Sequence, residues 1–456
     1  MNRKLILPII LSLALTWPLP AACIADAKIV TEVLGWGETV TGVRLEYSEE
    51  IRGDSIKRNN DPLKPLATLT YDLDNGREID AVYVSNSGKK GEASPYGRYV
   101  FIDFCQEGAN WTRYTEYVTF DAAAKTRPES EAVYISQREP VVTKDGETAE
   151  PQGILTSGEL RLGIDDFTTF LYTGDLVDDD TLFYCHLYIP EGYEEKKEGL
   201  EDLPLILHFP SSDVTYDDYS GLYYGALFSH SDAIEWVREE AQEEHPAFLL
   251  SYGSNQRVRW HGDIYAEVVG ELLEKYNIDP SRIYGIGLAA GSNALWEAAF
   301  GHPDLFAGII SVSFEFAKVY GDEEAAANAA KLFRTAPAWV FVGEDDFSAT
   351  AQHPDDSRVK GPLLRSQVEE LEAMGLNLCF ADGEDMWNGL LSGSKAEKQA
   401  EAQIARAEES GADGLVTLFL ANTLRVNGHC AWTSVYTNRA VRNWLFEQAS
   451  GKPYTP

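Results

Sequence analysis

The chain has 456 residues, of which 44% are hydrophobic, 24% charged and 11% aromatic, a globular mix that excludes a disordered or fibrous protein. Asp and Glu number 73 against 38 Lys and Arg, a formal charge of -35. Such a surface repels phosphate backbones and anionic lipid, which argues against nucleic-acid partners and for solubility outside the cell.

The first 27 residues read as an export signal. Arg3 and Lys4 form a charged start, Leu5 to Leu19 is an apolar run broken by Pro8 and Pro18, and Ala25-Asp26-Ala27 offers a cleavage site. The mature chain is then expected to begin at Lys28 and to be secreted or held at the cell surface. The apolar run falls short of the roughly 20 residues that span a bilayer, and no later stretch is long and apolar enough, so the protein is not expected to be membrane-spanning. Ala21-Ala22-Cys23 leaves a lipoprotein signal as the alternative, with Cys23 acylated, although Pro20 stands where such a signal usually has Leu.

Residues 28–165 read as an all-β domain. Val40 to Tyr47 alternates apolar and polar side chains. Leu66 to Leu73 and Ile79 to Val84 flank Asp74-Asn75-Gly76, a hairpin signal. Tyr99 to Phe104 and Tyr114 to Phe120 continue the pattern, with polar loops at 122–129 and 142–152. Short strands at this spacing predict an immunoglobulin-like β-sandwich. An exported chain can form disulfides, and Cys105, Cys185, Cys379 and Cys430 allow three full pairings; buried free thiols are the other reading. No Cys has a C-x-x-C partner, and no H-E-x-x-H pattern occurs, so neither a metal nor another cofactor is indicated.

Residues 166–456 read as an α/β domain. Strands are predicted at Leu182 to Ile189, Leu205 to His208, Ala247 to Ser251, Arg282 to Gly287, Ile309 to Val312 and Ala338 to Val342. Helices are predicted at Asp232 to Glu243, Ile264 to Tyr276 and Ser292 to Phe300. This alternation implies a mostly parallel sheet flanked by helices. Lys395 to Glu409 is a strong helix former with almost no apolar stripe, and reads as a solvated helix added on the surface.

The sharpest local pattern is Gly287-Leu288-Ala289-Ala290-Gly291, a strand running straight into a helix. That is the setting of a nucleophile elbow, G-x-S-x-G, with Ala289 where the nucleophile should stand. A methyl group cannot attack a carbonyl. Together with Tyr276-Asn-Ile-Asp-Pro-Ser-Arg-Ile-Tyr284, His302-Pro-Asp-Leu-Phe-Ala-Gly308, Gly428-His429-Cys-Ala-Trp432 and Asn443-Trp-Leu-Phe446, the elbow resembles the α/β-hydrolases of the polyhydroxybutyrate-depolymerase and prolyl-oligopeptidase-like esterase group. The likeness is to members with an immunoglobulin-like domain in front.

The resemblance implies a triad. Asp346 follows the strand Trp339 to Gly343 as G-x-x-D, with Asp345 one step away, and His429 matches the base. It also implies an oxyanion hole at His208-Phe209-Pro210-Ser211, where the family has H-G-x-G. Pro210 has no N–H to offer, which leaves the N–H of Ala290 as the second donor. Ser292 lies a helical turn beyond the elbow and reads as a helix-terminal hydrogen bonder, while Ser211 and Ser212 face the ligand side of the altered loop. Trp260-His261-Gly262-Asp263 borders the rim of the site in the family. Three readings follow: a pseudo-hydrolase that binds an ester, peptide or carbohydrate without cleaving it, an active ester or peptide hydrolase with a non-standard nucleophile or activated water, and a surface scaffold.

Overall fold

The computed structural model describes residues 22–35, 37–56, 70–74, 77–105, 132–211, 230–255, 261–313, 330–334, 336–346, 360–420, 429 and 431–456, with Leu227 and Ala327 besides. These residues divide into two compact units. One gathers the described residues of 1–30, 41–108 and 130–160, and the other those of 31–40 and 161–456.

The first unit is built on strands β1 (Ile24–Leu34), β2 (Gly37–Arg52), β3 (Tyr71–Leu73), β4 (Ile79–Ser85), β5 (Tyr96–Phe104), β6 (Tyr134–Gln137), β7 (Val141–Val142), β8 (Thr148–Ala149), β9 (Gln152–Leu155) and β10 (Glu159–Leu162). They form a five-stranded sheet, β10-β1-β2-β5-β4, a three-stranded sheet, β3-β6-β9, and the ribbon β7-β8. Alternation along β2 turns Leu45 and Tyr47 into the core and leaves Arg44 and Glu46 partly exposed. The Tyr47 hydroxyl meets the Tyr71 hydroxyl at 2.8 Å and donates to Gln137 Oε1 at 2.8 Å, with all three side chains buried. These bonds tie the two main sheets together and satisfy polar groups that burial would otherwise penalise.

Two expectations for this unit change. The Asp74-Asn75-Gly76 signal does not make a hairpin, because β3 pairs with β6 in one sheet and β4 with β5 in the other. A turn sequence fixes a reversal of direction, while burial of Tyr71 and Val82 on separate sheets fixes the partner. The stretch 142–152 is not all loop, since β8 lies in it and pairs with β7. The expected strand at 114–120 and the loop at 122–129 lie outside the described residues.

The second unit holds β11 (Phe167–Leu171), β12 (Phe183–Tyr188), β13 (Leu203–Phe209), α1 (Ile234–Val237), α2 (Glu239–Glu244), β14 (Phe248–Ser254), α3 (His261–Lys275), β15 (Ile278–Leu288), α4 (Ala290–Gly301), β16 (Gly308–Val312), β17 (Ala338–Gly343), α5 (Lys360–Ala373), β18 (Leu378–Ala381), β19 (Trp387–Asn388), α6 (Ser394–Ser410), β20 (Gly414–Leu420), α7 (Trp432–Tyr436) and α8 (Arg439–Phe446). Its sheet runs β11-β12-β14-β13-β15-β16-β17-β20-β18, with β19 beside β20. The strands from β14 to β18 are parallel, β12 runs antiparallel to them, and β11, antiparallel to β12, forms the edge. Both faces are covered, so β13, β14 and β17 are buried at every residue and read as mostly apolar runs. Leu205, Leu207 and Ile283 pack on one face, and Ile206, Tyr284 and Ile286 on the other.

The segment Thr31–Val40 belongs to this second unit. Buried Glu38 accepts Nε and Nη2 of Arg161 at 2.9 and 3.1 Å, and Gly35 O accepts the indole N–H of Trp432 at 2.9 Å. The helix expected over Asp232 to Glu243 breaks at Arg238 (φ -60, ψ 146), whose guanidinium reaches Glu235 and the carbonyl of Val33. The helix α5 and strand β18 had no counterpart in the sequence reading.

α6 is not a surface addition. Ala396, Ala400, Gln403 and Ala407, spaced four, three and four residues apart, are buried against the sheet. Small side chains let the helix approach closely, and Gln403 bonds the carbonyls of Cys379 and Val416 and the hydroxyl of Thr417. The stripe was invisible because alanine and glutamine carry little hydrophobic signal. Cys185 and Cys379 are buried free thiols, and burial pushes both thiols above the usual range. Cys430 lies outside the described residues. No helix among the described residues is long and apolar enough to cross a membrane.

Candidate active site

The carboxyl ends of β13, β15, β16, β17 and β20 lie along one edge of a parallel sheet, the edge where open α/β sheets bind ligands. The segments following these ends carry the candidate residues. At the end of β15 the chain turns through Ala289 into α4. Three glycines make this possible. A Cβ on Gly285 would lie 2.4 Å from Leu295, and one on Gly287 2.8 Å from the Cα of Ser292. One on Gly291 would lie 2.0 Å from the carbonyl of Phe209 and 2.4 Å from that of Pro210. Strand, helix and the loop after β13 are therefore in backbone contact.

Ala289 itself has φ 52 and ψ -115, a conformation costly for any residue with a Cβ. Its N–H donates to Val312 O at 2.9 Å and its carbonyl accepts from Ser292 N–H at 3.0 Å, so the turn is held on both sides. This is the strained strand-to-helix geometry of a nucleophile elbow carrying a methyl group.

Asp346 follows β17, is fully buried, and accepts from His429 Nδ1 at 3.0 Å through Oδ1 and 3.3 Å through Oδ2. Its neighbour Asp345 is exposed, so the register falls on Asp346. The His429 side chain is 29% exposed. A carboxylate on Nδ1 fixes the tautomer that leaves Nε2 able to take a proton. Two further contacts brace the segments that carry this pair. Ser313, at the end of β16 with φ 57, donates its hydroxyl to the His429 carbonyl at 2.5 Å. Arg365 on α5 bridges Glu344, two residues before Asp346, and Asp382, with all four bonds between 2.7 and 3.0 Å. Neither contact was legible in the sequence, since no motif spacing links these segments.

The loop after β13 lies against the start of α4, as the contacts of Gly291 require. Pro210 is buried beside the elbow and brings no N–H. Ala290 opens α4, where first-turn N–H groups lack intrahelical acceptors. Below the loop, His208 bridges Ser251 Oγ (Nδ1, 2.8 Å) and Asp232 Oδ2 (Nε2, 2.9 Å), all fully buried. A histidine inside the apolar run of β13 was the available signal.

Other candidates separate from the site. Ser292 is fully buried and donates to Val312 O at 2.9 Å, so it does not face a ligand. Ser211 is buried; Ser212, Gly428 and Trp260 lie outside the described residues. His261 opens α3, stacked on Tyr252 at 4.8 Å, and burial pushes its ring down to about 4. Gly262 abuts Ala298, and Asp263 bonds His302 at 2.8 Å, so this stretch packs α3 on α4. His186 bonds Thr169, and His230 lies on Trp432 at 4.7 Å. Among the described residues, no three or more His, Cys, Asp or Glu side chains gather as a metal site.

Residues 26–150 match the family described as esterase Ig-like N-terminal domain. No curated protein matches the chain. Among solved structures, a thermostable esterase is 21% identical, with 93% of this chain and 100% of that chain covered and a TM-score of 0.64. An S-formylglutathione hydrolase from Staphylococcus aureus is 10% identical (62% and 98% covered, TM-score 0.36). A mutant feruloyl esterase module from Clostridium thermocellum is 12% identical (64% and 91% covered, TM-score 0.38). The chain has the α/β-hydrolase fold of esterases, preceded by an immunoglobulin-like domain.

Proposed function

We propose that this α/β-hydrolase-fold protein is an exported pseudo-hydrolase that holds an ester, before a peptide or a carbohydrate, without cleaving it through a covalent intermediate. The observation that carries the reading is Ala289, held at φ 52 in the elbow while Asp346 and His429 stay paired at 3.0 Å. Acyl transfer needs a nucleophile that the base can deprotonate, and a methyl group has no proton to give. Pro210 removes a backbone donor from the loop beside the elbow, a loss that typically costs about 2.7–4 kcal/mol of transition-state stabilisation. The ester preference is supported by the esterase names of the matched family and of the thermostable relative.

The retained Asp346–His429 pair favours a second reading, in which His429 activates a water. One experiment separates the two: hydrolysis of p-nitrophenyl acetate and butyrate by the parent, Ala289→Ser and His429→Ala chains. The binding reading expects a silent parent and turnover in Ala289→Ser on the order of 10²-fold above it, limited by the missing oxyanion donor. Turnover in the parent that His429→Ala abolishes would overturn it in favour of the water route.

A further inference from the structure

The described chain is already paired ahead of the cleavage site expected after Ala27. β1 enters its sheet at Ile24, and the chain is already engaged one residue earlier. Cys23 donates its N–H to Ser48 Oγ at 3.0 Å and accepts from the Ser48 N–H at 2.8 Å. The Ile24 N–H donates to Gln152 Oε1 at 3.0 Å, and Gln152 Nε2 donates in turn to Gln137 Oε1 at 3.3 Å, the atom that also takes the Tyr47 hydroxyl. Asp26 accepts the Ser157 hydroxyl at 2.6 Å, and Ala27 O accepts the Ser157 N–H at 2.8 Å. The side chains of Ala22, Ile24 and Ala27 are buried.

A cut after Ala27 would remove the first four residues of a paired strand. It would open the buried sites of Ile24 and Ala27 and strip partners from Ser48, Gln152 and Ser157. Lost strand pairing and unmet backbone donors both destabilise a sheet. The apolar leader ends at Leu19, and small residues, Ala21 and Ala22, stand between it and the strand. Leader cleavage asks for small residues one and three positions before the cut, and Ala21 and Cys23 stand so before the Cys23–Ile24 bond.

Resting on the export reading of the leader, we infer that the leader is removed ahead of β1, at a bond between Pro20 and Ile24, and that the mature chain keeps Ile24–Ala27. The step is a hydrolysis: one water is consumed, the amide bond breaks, and the leader gains a carboxylate as the protein gains an amine. β1 then starts at or within a few residues of the new terminus.

The test is the N-terminal residue of the complete chain, residues 1–456, expressed in a bacterial host with an export pathway and read by intact mass and N-terminal peptide. A start between Ala21 and Ile24 is expected, and a start at Cys23 counts equally with or without an acyl group. A start at Lys28 overturns the inference and keeps export. A chain retaining Met1 overturns the export reading and the inference together. As a second measurement, residues 23–456 and 28–456 are produced without the leader and melted side by side. The shorter chain is expected to melt lower or to fail to fold where the longer one folds, and equal melting temperatures would overturn the inference.

Discussion

At the scale of single residues, the chain keeps costly features around the elbow. Ala289 and Ser313 hold positive φ, each worth roughly 1–3 kcal/mol of strain, at the ends of two neighbouring strands. Such strain persists only where the surroundings over-determine it, and here backbone bonds to Val312 and Phe341 do so. Among residues outside the pair, His261 gives a test in solution. Burial pushes its ring down to about 4, from about 6.5 in an unfolded chain. The folded state therefore disfavours the proton. Its contribution to stability is complete above pH 6.5 and is lost as pH falls from 6.5 through about 4. Urea unfolding at pH 7 and at pH 4.5 is expected to show that loss. In His261→Phe, which keeps a ring on Tyr252, the fall should shrink by about 2 kcal/mol. An unchanged pH dependence would remove His261 as its source. Burial alone would raise the Asp232 carboxyl, but the His208 ring beside it brings it below the usual range, so its share is lost only below about pH 4. Asp346 and His429 were reached through the family resemblance, which matches Gly343-x-x-Asp346 and Gly428-His429-x-x-Trp432. Ser313, Arg365 and the Ser251–His208–Asp232 bridge were not, because each joins segments far apart in the chain.

Among the elements, α6 shows most clearly how packing can escape a hydrophobicity pattern. Its buried face is Ala396, Ala400, Gln403 and Ala407, which allows a close approach to β18 and β20 that larger side chains would block. Ala400→Leu forces new volume into a filled contact and is expected to destabilise the protein by about 1–3 kcal/mol. Glu401→Ala, one residue on and exposed, is expected to stay within about 0.5 kcal/mol of the parent. Chemical denaturation of the two variants decides it, and equal, small effects would return α6 to the solvated helix that its composition predicts. The β3 and β4 pairing carries the same lesson in the first unit. Local turn chemistry favours β3 and β4 as partners, but β3 pairs with a strand some 60 residues further on and β4 with β5 in the other sheet.

For the whole molecule, the two units are not contiguous segments. Thr31–Val40 belongs with residues 161–456, and it supplies Glu38 to Arg161, Gly35 O to Trp432 and Val33 O to Arg238. A fragment cut at the boundary read from composition, residues 166–456, loses all three acceptors and Arg161 as well. Buried donors left without partners cost about 1–3 kcal/mol each. Thermal unfolding of that fragment is expected several degrees below the corresponding transition of the complete chain, and an equal melting temperature would show that the segment contributes nothing to the unit.

Read as sequence, the chain yields most of its strands and helices, an all-β part ahead of an α/β part, and Ala289 and Pro210 at the strand-to-helix turn and its neighbouring loop, while His429 and the candidates Asp345 and Asp346 rest on the family resemblance. The elements and the turn are legible because hydrophobic period, glycine and proline act within a few residues of one another. Only the tertiary structure decided which strands pair, which face of α6 is buried, that Asp346 rather than Asp345 meets His429, and that Ile24–Ala27 belong to β1. Those outcomes depend on what stands opposite each residue across the core, and sequence spacing carries no record of that.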